Sequence, residues 1–145
     1  MNISDFKNPF FIGVAGVGMS AIAQYLQGIG KNVSGSDRYF HPDEYNKTKE
    51  QLENEGIKCF LQDGSGITAE TDLVVVSTAI EDTVYEVKKA KEVGIPIIKR
   101  SQLLAMIAKS KKTIAVAGTS GKSTTSAMLF QILLDAGLEP SIISG

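Results

Sequence analysis

Apolar positions along this chain follow two alternating rhythms. Met19, Ile22, Ala23, Leu26 and Ile29 recur at three- and four-residue spacing, and Met128, Leu129, Ile132, Leu133 and Ala136 do the same. That period places each set on one face of an α-helix. Between such stretches lie short runs that are nearly all apolar: Phe10 to Val14, Leu73 to Val76, Ile95 to Ile98 and Thr113 to Ala117. A strand without polar alternation is covered on both faces, as in a parallel sheet flanked by helices. Gly30, Gly56, Gly94 and Gly137 each follow a helical stretch and precede an apolar one, where a left-handed C-cap is needed. Lys88, Lys89 and Lys91, set among Val84, Val87, Ala90 and Val93, read as the solvated side of another helix. Asp37 to Glu44 is expected to be loop, and Gln62 to Glu70 has no clear period. The alternation predicts an α/β fold with a Rossmann-like, doubly wound parallel sheet.

The polar stretch Lys109-Ser110-Lys111-Lys112 interrupts this pattern and predicts a domain boundary near residue 111. Residues 1–111 then form a first domain. Residues 112–145 hold strand, loop, helix and a short strand, one βαβ unit that is too little to bury both faces of a sheet. The chain is therefore expected to be a complete domain plus the beginning of a second, cut from a longer enzyme.

Composition narrows the function classes. With 43% hydrophobic and 21% charged residues, the chain is globular rather than disordered or fibrous. A net charge of −1 argues against a broad basic surface for nucleic acid or anionic membrane. The apolar runs are too short to span a bilayer, and the N-terminus has no secretory signal pattern. Cys59 is the sole cysteine and forms no intrachain disulfide, which fits a cytoplasmic protein. It reads as a buried structural residue. His41, the sole histidine, has no partner for a metal site and reads as a loop residue.

Two glycine loops carry the candidate chemistry. Gly13 to Ser20 follows the first strand and opens a helix; Gly118 to Thr124 has the same placement, and Val14-Ala15-Gly16 recurs as Val116-Ala117-Gly118. Each puts bare backbone N–H groups at the positive end of a helix, where phosphate is favoured. The second loop adds Lys122, which can reach β- and γ-phosphate oxygens, and the Ser123 hydroxyl, which can bind the magnesium bridging them. These are parts for phosphoryl transfer. The loop is a shortened Walker variant, with Val116 where the full pattern has glycine. The first loop has no lysine and suits a diphosphate that is held without reacting. Asp37, 24 residues after Gly13, can accept from a ribose hydroxyl or a base N–H. Ser77 and Thr78 follow a strand and would lie on the same rim, although Ser77 or Thr83 could equally be a helix N-cap.

In combination, FIGVAGVGMSAIA, VSGSD, VVVSTAI, GIPIIKRSQLLA and IAVAGTSGKSTT resemble the N-terminal part of a Mur ligase. The resemblance runs collinearly over nearly the whole chain. It implies a first domain that binds a UDP-N-acetylmuramate-type substrate and a second, P-loop domain that binds ATP. It also implies a third domain, absent here, and an ATP-dependent amide ligation through an acyl phosphate in peptidoglycan precursor synthesis. An amino acid or peptide would be joined to the substrate carboxylate. Carried over by position, Ala15, Gly16, Val17, Gly18, Met19 and Ser20 would cradle the UDP diphosphate. Asp37 would lie near the uridine, and Ser77, Thr78, Ala79 and Ile80 would line the same pocket. Gly118, Thr119, Ser120, Gly121, Lys122, Ser123 and Thr124 would hold ATP, with Lys122 on the transferred phosphoryl group and Ser123 on Mg2+.

The sequence departs from the family at several points. Ser120 stands where alanine-adding members commonly have histidine, Ser123 where they have threonine, Ala15 for a glycine, and Gln62-Asp63 where a histidine is common. The fragment alone is expected to lack ligase activity. Two other classes remain open on the residues: an NAD-dependent oxidoreductase domain, from the first loop and Asp37, and a non-catalytic nucleotide-binding module.

Overall fold

The computed structural model describes residues 1–77 and 84–144. Five strands, β1 (Pro9–Ile12), β2 (Ser34–Asp37), β3 (Lys58–Leu61), β4 (Leu73–Val76) and β5 (Ile97–Lys99), form one parallel sheet in the order β3-β2-β1-β4-β5. Five helices accompany them: α1 (Val17–Gly28), α2 (Lys47–Asn54), α3 (Tyr85–Val93), α4 (Arg100–Ser110) and α5 (Lys122–Asp135). The order in which strands are added reverses between β1 and β4, and in open α/β sheets ligands bind beyond the carboxyl ends of the strands at such a point.

The apolar runs are strands because both of their faces are covered. Phe11, Leu73 and Val75 point to one face and pack with Met19, Ile22 and Leu26 of α1, Leu52 of α2 and Leu103 and Ile107 of α4. Phe10, Ile12 and Val74 point to the other and pack with Ile67 and with Val87 and Ala90 of α3. All four residues of β1 are buried. β2, with the polar sequence SGSD, is nearly as buried, and hydrogen bonding rather than hydropathy places it there. The expected cap glycines hold: Gly30, Gly56, Gly94 and Gly137 all have φ between 76° and 90°.

Three expectations need correction. The first strand ends at Ile12, because Gly13 turns out of it at φ 83°. β5 begins at Ile97, two residues later than the apolar run suggests. Thr113 to Ala117 is not a strand at all, and the βαβ unit is reduced to a helix with flanking chain. A parallel strand needs a neighbour's backbone on at least one side, and none of the five strands of the sheet pairs with this segment. α5 has no buried residue, and Met128 and Ile132 are each 61% exposed. Among the described residues, no helix is long and apolar enough to cross a membrane.

Candidate functional site: a glycine loop at the sheet's reversal point

The loop between β1 and α1 is built from β2. The Ser36 carbonyl accepts from the amides of Gly13 (2.8 Å) and Val14 (3.0 Å), folding the chain back over the end of the neighbouring strand. Gly35 makes room for this: a Cβ there would stand 2.7 Å from the Phe11 carbonyl oxygen and 2.8 Å from the Val14 Cβ. Asp37, only 4% exposed, then pins the loop. Its Oδ2 accepts from the Ala15 amide at 2.9 Å and its Oδ1 from the Tyr39 amide at 3.0 Å.

These bonds sort the six expected loop residues. The Ala15 amide is taken by Asp37, and the Gly16 amide by the Gly13 carbonyl at 3.2 Å. The Gly16 carbonyl accepts from Met19 (2.9 Å) and Ser20 (2.8 Å), and the Met19 side chain is buried in the core. The Ser20 hydroxyl donates to the Val17 carbonyl at 3.0 Å. The amides of Val17 and Gly18 remain, the first two of α1, and no acidic or capping side chain among the described residues serves them. An α-helix leaves its first amides free in this way, and its dipole makes the spot attractive to an anion.

Around the loop, Ser77 is half-buried, one residue past β4, where Val76 pairs level with Ile12. Thr78, Ala79 and Ile80 lie outside the described residues, as does Thr83. The N-cap of α3 is Val84, with no side-chain cap, so Ser77 does not have that role. A cleft of about 350 Å³ opens beside Asp37, lined by Arg38, His41, Pro42, Leu61 and Asp63 among others. Asp63 is held below the usual carboxylate range by its hydrogen bond to Ser65. Sequence patterns did not single out Gly35 or Arg100. Arg100 opens α4 and lays its guanidinium against Gly18.

The second loop is fully exposed. Gly121 is the N-cap of α5 at φ 73°, a conformation that favours glycine, and Lys122, Ser123 and Thr124 follow in the first turn. The Lys122 ammonium donates to the Gly118 carbonyl at 2.9 Å, folded over its own loop. The Ser123 hydroxyl accepts from that of Ser144 at 3.3 Å. Thr119 and Ser120 lie in the bend between the two glycines. Among the described residues, no group of three His, Cys, Asp or Glu side chains could hold a metal ion.

Comparison with known proteins gives these loops a context. A sequence profile described as "Mur ligase family, catalytic domain" matches residues 10–112. The chain is 39% identical over 139 residues to UDP-N-acetylmuramate--L-alanine ligase of Dichelobacter nodosus, covering 96% of this chain and 28% of that protein. It is 43% identical over 135 residues to the ligase of the same name from Syntrophomonas wolfei, covering 92% and 28%. The chain thus spans less than a third of the length of these relatives. Among solved structures, the UDP-N-acetylmuramate:L-alanyl-gamma-D-glutamyl-meso-diaminopimelate ligase of Neisseria meningitides superposes with a TM-score of 0.82 at 30% identity, covering 97% of this chain and 43% of that one. A profile matched over most of the chain and a shared backbone path agree with the order of the motifs: this chain belongs to the Mur ligase family.

Proposed function

We propose that residues 1–111 bind the uridine diphosphate portion of a UDP-N-acetylmuramate-type substrate, and that residues 112–145 begin an ATP-binding P-loop domain. The observation that carries this is the pair of free amides on Val17 and Gly18, held by Asp37 and Ser36 at the reversal point of the sheet. A diphosphate there would take both N–H groups. The cleft beside Asp37, at the end of β2, then suits the uridine.

The exposed second loop fits a triphosphate: two glycines with open space beside them, a lysine that needs only release the Gly118 carbonyl, and a hydroxyl at the helix start. Ser123 would hold magnesium, which takes oxygen ligands and keeps several waters, and bound magnesium offsets phosphate charge. The longer protein would use both sites in peptidoglycan precursor synthesis, spending ATP to join an amino acid or peptide to the substrate carboxylate through an acyl phosphate. This portion binds; it is not expected to turn over alone.

Calorimetric titration of the chain tests the proposal. Saturable binding of UDP-N-acetylmuramate with NAD silent is expected. Binding of NAD with the UDP-sugar silent would overturn it in favour of a dinucleotide oxidoreductase domain.

A further inference from the structure

The first loop lacks the lysine of the second, yet a cation stands beside it. Val76 pairs in register with both Ile12 and Lys99, so Gly13, Ser77 and Arg100 are the next residues along one edge of the sheet. Two strand spacings, about 9.6 Å, separate β5 from β1. The Arg100 side chain crosses that gap, and its Cζ lies 3.1 Å from where a Cβ on Gly18 would be, with Nη1 nearer still. Gly18 has no positive φ, so backbone geometry does not demand glycine at that position. A Cβ there would instead push the guanidinium out of its present place.

Arg100 makes no hydrogen bond or ion pair among the described residues, and α1 has no acidic residue in its first turn. A cation at a helix N-terminus is repelled by the helix dipole. Here a half-buried guanidinium is placed against that terminus, beside the free amides of Val17 and Gly18, with no ion pair to it among the described residues. An anion there would take both the free amides and the guanidinium, and would offset the repulsion between cation and helix dipole.

We propose that Arg100 is the counter-charge for the diphosphate on the Val17–Gly18 amides, and that Gly18 is glycine in order to seat its guanidinium. The planar fork suits two phosphate oxygens at once. This rests on the diphosphate assignment of the loop made above, and the test separates the two.

Binding of UDP and of inorganic pyrophosphate is measured by calorimetry for the parent chain, Arg100→Gln, Arg100→Lys, Gly18→Ala and the Gly18→Ala/Arg100→Gln double variant. Arg100→Gln is expected to weaken both ligands at least about tenfold. Its melting temperature without ligand should be no lower than the parent's, because a repulsion has been removed. Gly18→Ala displaces the guanidinium and should weaken binding similarly, and the double variant should be scarcely worse than either single one. Arg100→Lys keeps the charge without the fork and should fall between, which serves if Arg100→Gln does not fold. Equal affinity in parent and Arg100 variants overturns the proposal, as do additive losses in the double variant or failure of the parent to bind either ligand. Pyrophosphate binding that depends on Arg100 with UDP silent would uphold Arg100 and overturn the uridine assignment.

Discussion

Replacing Asp37 by asparagine would leave one acceptor oxygen for two backbone donors, the amides of Ala15 and Tyr39. One part-buried N–H then loses its partner, at a cost of about 1 kcal/mol. Urea unfolding should show that loss as a lower midpoint, and UDP should bind more weakly because the loop is no longer pinned. Gly35→Ala should be destabilising for a different reason. Its Cβ would run into the Phe11 carbonyl and Val14, and the resulting overpacking costs about 1–3 kcal/mol by the same measurement. Cys59 offers a test through pH. Burial first, and then the Glu53 charge, push its thiol up to about 12. In the unfolded chain the thiol ionises near the ordinary value of about 8.5. The folded state holds that proton longer, so its stabilising effect is full below about pH 8.5 and is lost as pH rises toward 12. Unfolding midpoints should fall over that range in the parent and less in Cys59→Ala. At this scale the sequence exposed Asp37 by its spacing but not its second task, since a side chain that fastens a loop looks no different in a string of letters. Arg100 was hidden for a plainer reason: it lies 82 positions from the glycine it touches.

Helix α5 presents Met128 and Ile132 to solvent at 61% exposure each. Substituting both by glutamate should change the unfolding free energy by less than about 0.5 kcal/mol, as for surface sites, and should reduce self-association in sedimentation at high concentration. The same change on the buried face of α1, at Ile22 and Leu26, would unfold the chain, because those side chains have no exposure. Periodicity found both helices equally well. It reports that a face is apolar, not whether something covers it. Strands were legible where the chain supplies their neighbours, and Thr113 to Ala117 failed because strand structure belongs to the pair and not to the segment. The polar β2 gave no apolar run to mark it, and its burial comes from contacts that no hydropathy pattern records.

Across the whole molecule, the two loops use one device on separate elements, and the family placement covers residues 10–112. A chain ending at Lys112 should keep UDP binding by calorimetry and lose any binding of ATP; loss of UDP binding on that deletion would refute the division at residue 111. The strand order has a bearing on how the chain is made. β1, central and wholly buried, leaves the ribosome well before its partner β4, which begins 64 positions later. At about 5–20 residues per second, that interval is roughly 3–13 s. Throughout it, the Pro9-Phe10-Phe11-Ile12 edge has only β2 beside it, and one flank of its backbone is open to any other nascent strand. The hydrophobic segment on which the fold is centred is thus also the one most in need of protection during synthesis.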